Sequence, residues 1–255
     1  LNYVRGQRAD YDNWAQMGIA GWSYADVLPY FKRSEQRIGP GDDTVRGRDG
    51  ELPVTNLDLI HPVCEAFIEG ATQMGIPQNP DYNNGDQAGT GYFQRTIQKG
   101  YRYSAAKAFL GPIRKRPNVD IRTNAQATEI LFTGSRAQGV RYHQGKQPTP
   151  AIDVHARREV ILCAGALNTP KLMQLSGIGP AEILANLGIK IRVELRGVGN
   201  NLRDHYGVRM VSNLKNIKTF NSVARGLPLG FEIAKWLLGR PSILSVSPSL
   251  THLFW

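Results

Sequence analysis

Residues 165–180 read GALNTPKLMQLSGIGP, and the apolar run Val160-Ile161-Leu162-Cys163 leads straight into them. An uninterrupted apolar run is expected of a strand buried on both faces. Ala164-Gly165-Ala166 then makes a tight turn that leaves room for a close backbone approach. Thr169 reads as an N-cap and Pro170 as the first helical residue, so a helix is expected from there. Leu172, Met173 and Leu175 would pack it down, and SGIGP at 176–180 would end it. Its N-terminus aims free N–H groups and partial positive charge back at the small-residue turn. An anion or an electron-rich ring could rest there, although the same pattern also describes an ordinary strand–turn–helix crossover.

Short β segments precede this element across residues 119–163. VDIRT, ATEILF, AQGVRYH and REVILC are separated by turn residues such as Gly134-Ser135 and Gly145-Lys146. Further upstream the pattern is more helical. In WSYADVLPYFKRSE, Ser23 is cap-like with Asp26 three residues on, followed by apolar Val27, Leu28 and Phe31; Pro29 reads as a kink or a restart. PGDDTVRGRDGEL at 40–52 reads as a loop. Pro62 opens an amphipathic helix with Val63, Phe67 and Ala71 at spacing four, which Gly75 ends and Pro77 prevents from continuing. YFQRTI alternates like a strand, and Ser104 is placed to cap a helix over 105–110.

The chain of 255 residues is long enough for one large or two modest domains with real cores. Apolar residues at 41% against 20% charged point to a folded protein rather than disorder. No apolar run is long enough to span a bilayer, and Arg5, Arg8, Asp10 and Asp12 interrupt any signal-peptide pattern at the start. Cys64 and Cys163 are too few for a disulfide framework and read as two reduced core cysteines of a cytoplasmic protein. The net charge of +10 raises nucleic acid as a partner, but the basic residues are scattered and only RKR at 114–116 and ARR at 156–158 cluster, without stacking aromatics. No nucleic-acid partner is expected. His61, His143, His155 and His252 show no metal-ligand spacing, so no metal is expected. The lack of a Gly-x-Ser-x-Gly elbow disfavours a serine hydrolase.

GALNTPKLMQLSGIGP resembles the second signature of the glucose–methanol–choline (GMC) oxidoreductases, a family of FAD-dependent enzymes, through Gly165, Thr169, Pro170, Leu172-Met173 and SGIG at 176–179. Other elements resemble the family in order. NYVRGQRADYDNW is similar to the tail of its first signature, with Tyr3, Gly6 and Asp12 in place, and GWSYADVLPYFKRSE to the segment after it. GYRYSAAKAFL resembles the Gly-x-Arg-x-Ser element, and GVGNNLRDH the Gly-Val-Gly-x-Asn-Leu-x-Asp-His element. The resemblance runs from residue 1 to about residue 207 and fades toward Trp255. The family's Gly-x-Gly-x-x-Gly fingerprint precedes the first signature, and GVGNNL is no substitute, because it lacks the third glycine and no strong helix comes after it. The family's catalytic His and its partner His or Asn lie nearer the C-terminus than this chain reaches. The resemblance thus implies a central fragment that needs the rest of its own chain, and no catalytic residue is assigned within it.

The resemblance implies an α/β (mixed α+β) fold, part of a Rossmann-like FAD-binding domain plus part of a substrate domain built on an antiparallel sheet with helices. The expected division is 1–50 and 99–205 on the cofactor side, and 51–98 and 206–255 on the substrate side. The implied activity is oxidation of an alcohol CH–OH, with hydride transfer to flavin N5 and oxygen or a quinone as final acceptor. A flavin-containing hydroxynitrile lyase is the alternative within the family, and a basic nucleic-acid- or anion-binding module the alternative outside it. Carried over by position, Leu1 and Asn2 approach the flavin, and the Ala127 backbone meets the adenine. Ala164, Gly165 and Ala166 lie beside the dinucleotide. Asn201, Asp204 and His205 order backbone near the cofactor, a role preferred over a general-base reading of the Asp-His pair. The 255 residues alone are expected to be catalytically silent and to bind FAD weakly or not at all.

Overall fold

In the computed structural model, which describes residues 2–146 and 149–255, local capping sets the first elements. Leu1, one of the residues expected at the flavin, lies outside the described residues. Helix α1 (Arg8–Gln16) is opened by a reciprocal Gln7/Asp10 capping box. Helix α2 (Tyr24–Ser34) is opened by the expected Ser23/Asp26 box: the Ser23 hydroxyl accepts the Asp26 N–H at 3.3 Å, and the Asp26 carboxylate accepts the Ser23 N–H at 3.1 Å. Pro29 does not restart the helix, which continues through it to Ser34. Strand β1 (Glu35–Ile38) comes next and pairs in parallel with β2 (Leu52–Thr55). The loop between them folds back tightly on α2 and β1. A Cβ on Gly47 would lie 1.9 Å from the Lys32 carbonyl oxygen, and one on Gly50 2.3 Å from the Ser34 carbonyl carbon, so both positions require glycine.

Helix α3 (Pro62–Gln73) has the expected bounds, but its buried stripe is Cys64, Ile68 and Ala71, one position round from the expected Val63-Phe67-Ala71 line; Phe67 is exposed. The two alternatives share Ala71 and differ by a turn of 100° per residue, which the sequence pattern alone does not resolve. YFQRTI is not one strand. Strand β3 (Gly89–Tyr92) ends inside it, and the chain re-pairs at β4 (Ile97–Gln98) with β5 (Tyr101–Arg102). Their two-residue loop, Lys99-Gly100, has φ of 51° and 76°, as a twisted hairpin turn demands. Ser104 does cap the next turn, its hydroxyl accepting the Lys107 N–H at 3.3 Å, but that turn is of π type over Ala106–Leu110 rather than α.

Residues Asp120–Val211 form a compact unit of their own. Its sheet is antiparallel, in the order β6 (Ala125–Thr133), β7 (Arg136–Gln144), β8 (Ala151–His155), with Gly134-Ser135 turning the first hairpin as expected. VDIRT at 119–123 forms no strand, and neither does Val160 to Cys163: Ile161 is 73% exposed. An apolar run becomes a strand only where neighbours take up its N–H and C=O groups, and none lies alongside it among the described residues. For the same reason Cys163 is exposed, while Cys64 is the buried core cysteine; both are free thiols. Helix α4 (Gly165–Leu175), β9 (Ile178–Gly179), α5 (Ala181–Asn186) and β10 (Val193–Glu194) complete the unit, with β9 and β10 parallel.

The last segment, Ser212–Trp255, clusters with Leu1–Val119 in the other compact unit. It holds α6 (Phe220–Val223), α7 (Gly226–Leu237) and β11 (Thr251–Phe254), which pairs antiparallel with β3. Glu232 of α7 is buried, accepts the Ile243 N–H at 3.1 Å and pairs with Lys235 at 2.6 Å. Among the described residues no helix is long and apolar enough to cross a membrane. The mixture of helix and strand expected from the sequence is what the chain adopts.

Candidate functional site

Helix α4 starts at Gly165, four residues before the expected Thr169 cap, and Pro170 sits inside it. Thr169 is not the cap: it lies inside the helix, where its hydroxyl accepts the N–H of Ala164 at 3.1 Å. Gly165 takes φ +85°, and a Cβ there would meet open space within 4 Å, so the requirement for glycine is conformational rather than steric. No side chain caps the helix start and no acidic residue lies in its first turn. Ala164, Gly165 and Ala166 are all exposed. The result is an open, small-residue turn with positive dipole and free N–H groups, which fits an anionic or electron-rich group.

The other half of the opening stretch fastens that turn in place. Ser176 is buried; its hydroxyl donates to the Leu172 carbonyl at 2.6 Å and accepts the Ile130 N–H of edge strand β6 at 2.8 Å. Gly177 has φ +83°, and a Cβ on it would lie 2.4 Å from the Lys190 carbonyl. Backbone bonds from Arg192 N–H to Gly177 O (2.8 Å) and Leu195 N–H to Gly179 O (3.0 Å) lay the next strand beside it. Gln174 donates to the Val198 carbonyl at 3.1 Å, and a Cβ on Gly199 would sit 2.5 Å from its amide nitrogen. SGIGP is therefore a clasp that docks α4 on the sheet, and Gln174 of the same helix holds GVGNNL against it.

Beyond that clasp no helix succeeds GVGNNL, as expected. Asn201 adopts the left-handed region at φ +58°, and Asp204 and His205 are exposed. The Asp204 carboxylate accepts the N–H of His205 at 2.8 Å, so this pair is a backbone contact, not a side-chain dyad. Ala127 lies in β6 opposite Tyr142, beside a bulge between Ala127 and Glu129. A shallow recess of about 480 Å³ lined by Asn124, Ala125, Gln126, Gly145 and Lys146 adjoins it.

In the other unit, Asn2 bridges to Arg95, and its side-chain oxygen is buried with no hydrogen-bond partner among the described residues. A buried acceptor left open fits a ligand that brings a donor. The network that holds the backbone next to Asn2 was not visible in the sequence. Glu35 receives both Arg5 and Arg46, and Arg46 also pairs with Asp81. Gln94 bonds Arg46 at 3.0 Å, Asp81 at 2.9 Å and Asn83 at 2.9 Å; Asn83 in turn accepts the Arg5 N–H at 2.8 Å. Arg46, from the loop at 40–52, is only 1% exposed. Arg5, Arg37 and Arg95 are buried too, so part of the positive charge is interior. Against the same core, His252 is packed by the rings of Tyr82 (4.4 Å), Phe93 (5.3 Å) and Phe254 (4.9 Å). Burial pushes its pKa down to about 4, and both ring nitrogens lack partners among the described residues. Burial likewise raises the Tyr82 phenol above its ordinary value. Among the described residues no cluster of His, Cys, Asp and Glu could hold a metal.

A family model described as GMC oxidoreductase matches residues 1–207. The chain belongs to the GMC oxidoreductases. Oxygen-dependent choline dehydrogenase of Sinorhizobium fredii is 46% identical over 203 residues, covering 80% of this chain and 36% of the relative. Among solved structures, an FAD-dependent oxidoreductase from Chaetomium thermophilum is 33% identical with a TM-score of 0.73, over 76% of this chain and 36% of that one. Formate oxidase of Aspergillus oryzae is 26% identical with a TM-score of 0.85, over 98% of this chain and 44% of that one. The chain thus spans just over a third of the length of the curated relatives it matches. GMC oxidoreductases are FAD-dependent enzymes, so the family and cofactor class implied by the opening stretch are borne out.

Proposed function

We propose that this chain forms the central part of an FAD-dependent oxidoreductase acting on the CH–OH group of a small alcohol. The observation that carries this reading is the uncapped, acid-free helix start at Ala164–Ala166, in a chain matching the GMC model over residues 1–207. Bound FAD would supply the hydride acceptor. Within the unit of residues 120–211, the residues that would hold it are the Ala127 backbone, Ala164, Gly165 and Ala166, with Asn201, Asp204 and His205 ordering backbone nearby; Asn2 is assigned to the cofactor by family position alone. The small side chains at 164–166 let the cofactor come close to the helix N–H groups, and the Ser176 and Gln174 contacts keep those groups in register. The division into cofactor-side segments 1–50 and 99–205 and substrate-side segments 51–98 and 206–255 belongs to the same proposal.

A small alcohol of the choline class and oxygen as acceptor are supported by relatives named oxygen-dependent choline dehydrogenase. A cytoplasmic location is in keeping with two free thiols. The burial of four arginines weighs against the basic-module reading, since interior guanidinium groups cannot meet phosphate. The test is to purify the whole polypeptide, record its visible spectrum and add alcohols with a dye acceptor. Bound flavin bleached by an alcohol is expected. A flavin-free protein refutes the reading, and a flavoprotein that cleaves cyanohydrins but reduces no dye moves it to the lyase. Residues 1–255 alone should quench FAD fluorescence weakly and show no turnover.

A further inference from the structure

Tyr3 and Arg5 turn all four of their backbone polar groups toward residues 82–94, as one side of a strand does, but the partners there are mostly side chains. The Tyr3 N–H donates to the Gln94 carbonyl at 2.9 Å, and the Tyr3 carbonyl accepts the Tyr82 hydroxyl at 2.8 Å and the Asn83 Nδ2 at 3.1 Å. The Arg5 N–H donates to Asn83 Oδ1 at 2.8 Å, and the Arg5 carbonyl accepts the Gln87 amide. One planar amide, that of Asn83, therefore grips the chain on both sides of Val4. Its direction is fixed from behind. Asn83 is 2% exposed, and its Nδ2 also donates to Gln94 Oε1 at 2.9 Å. That same oxygen accepts Arg46 at 3.0 Å, while the Gln94 Nε2 donates to Asp81 at 2.9 Å. With a cation at its oxygen and an anion at its nitrogen, the Gln94 amide cannot be turned over, and Asn83 is held the same way round.

Asn2 stands directly ahead of this grip and bridges to Arg95. Along residues 2–5 its Oδ1 is the one buried side-chain polar atom without a partner among the described residues. We propose that Asn83 is a positioning residue for the cofactor: acting through residues 3–5, it holds the Asn2 Oδ1 in place to accept an N–H or O–H group of bound FAD, without touching the cofactor itself. The arrangement suits that task, because an acceptor serves a ligand only when the backbone carrying it is fixed before the ligand arrives. The inference rests on the oxidoreductase reading and on the family position of Asn2. It adds to that reading a working residue from segment 51–98, which the same reading gives to the substrate side.

The test is a double-mutant cycle on the whole polypeptide. FAD is stripped and its dissociation constant read from fluorescence quenching on rebinding; the visible circular dichroism of the bound flavin is a second signal that needs no stripping. Asn2→Ala removes the acceptor and should raise the dissociation constant about tenfold, the worth of one buried hydrogen bond. Asn83→Ala should raise it by a similar factor and alter the flavin dichroism in the same way. Both together should still cost about tenfold rather than about a hundredfold, because Asn83 acts only through Asn2. A merely structural Asn83 would give losses that multiply. Far-ultraviolet circular dichroism checks folding; if Asn83→Ala does not fold, Asn83→Ser, whose single hydroxyl replaces one of the two bonds, takes its place in the cycle. The proposal is overturned by losses that multiply or by an Asn83 variant whose affinity and dichroism are unchanged. It is also overturned if Asn2→Ala binds FAD as before, which would mean that this acceptor meets its own polypeptide. In each of these cases flavin is bound and the oxidoreductase reading stands; a polypeptide that neither carries nor takes up flavin removes both.

Discussion

Replacing Ser176 with alanine tests whether the signature stretch works as a clasp. The hydroxyl makes two bonds, but they are not equivalent. The one it donates to the Leu172 carbonyl is backed by the Ser176 N–H, which reaches the same oxygen at 3.1 Å. The one it accepts from Ile130 N–H at 2.8 Å satisfies an edge-strand donor whose residue is buried. Ser176→Ala therefore strands a single buried N–H, at a cost of about 2 kcal/mol within a range of 1–3. That is about a thirtyfold shift toward the state in which α4 lifts from β6. Because the chain forms two units, a global melt need not be two-state, and amide hydrogen exchange is the better assay. Ile130 and the amides of 174–179 should exchange about thirtyfold faster, while amides of α3 stay unchanged. An Ile130 rate within a factor of two of the original would refute the clasp.

Two further outcomes concern the other unit. Glu35→Gln removes the carboxylate shared by Arg5 and Arg46, both buried, and should destabilise that unit by about 3–5 kcal/mol in urea titrations; Asp58→Asn, which frees Arg95 of a partner that is itself half exposed, should cost less than about 1 kcal/mol. His252 is held neutral, with its pKa lowered from 6.5 to about 4, so its stabilising effect is complete above pH 6.5 and is lost as the pH falls toward 4. Against His252→Phe, which cancels the titration of carboxylates common to both, the original chain should lose up to about 3 kcal/mol across that window; parallel stability curves would show that the ring is free to protonate.

Elements governed by near neighbours were legible in the sequence. The Ser23/Asp26 box, Pro62 and Gly75 around α3, and Gly134-Ser135 between β6 and β7 act within a few residues, and each stands where expected. Elements whose partners are distant were not. Val160 to Cys163 looks like a buried strand because apolar side chains say nothing about which backbone will pair with it. Arg46 looked like part of a solvated loop because Glu35 and Asp81 are 11 and 35 residues away. The small-residue turn of the candidate site was legible, but its register was not. Thr169-Pro170 is the usual start signal, yet here Gly165 in the left-handed region lets the helix begin a turn earlier.

The shared carboxylate at Glu35 also constrains how the chain can come together. Its partners arrive from positions 5 and 46, and Asp81 reaches in from beyond α3, so the four-group network is complete only across residues 5–81. A nascent chain released only as far as β1 would hold Glu35 and Arg5 without Arg46 or Asp81, and so has reason to keep both hydrated. Assembly of this region is thereby made late and concerted, waiting for distant chain to emerge. Afterwards, the same arrangement would keep a chain nicked at the exposed tip around Asp42–Thr44 from coming apart, because both pieces stay tied to one buried anion.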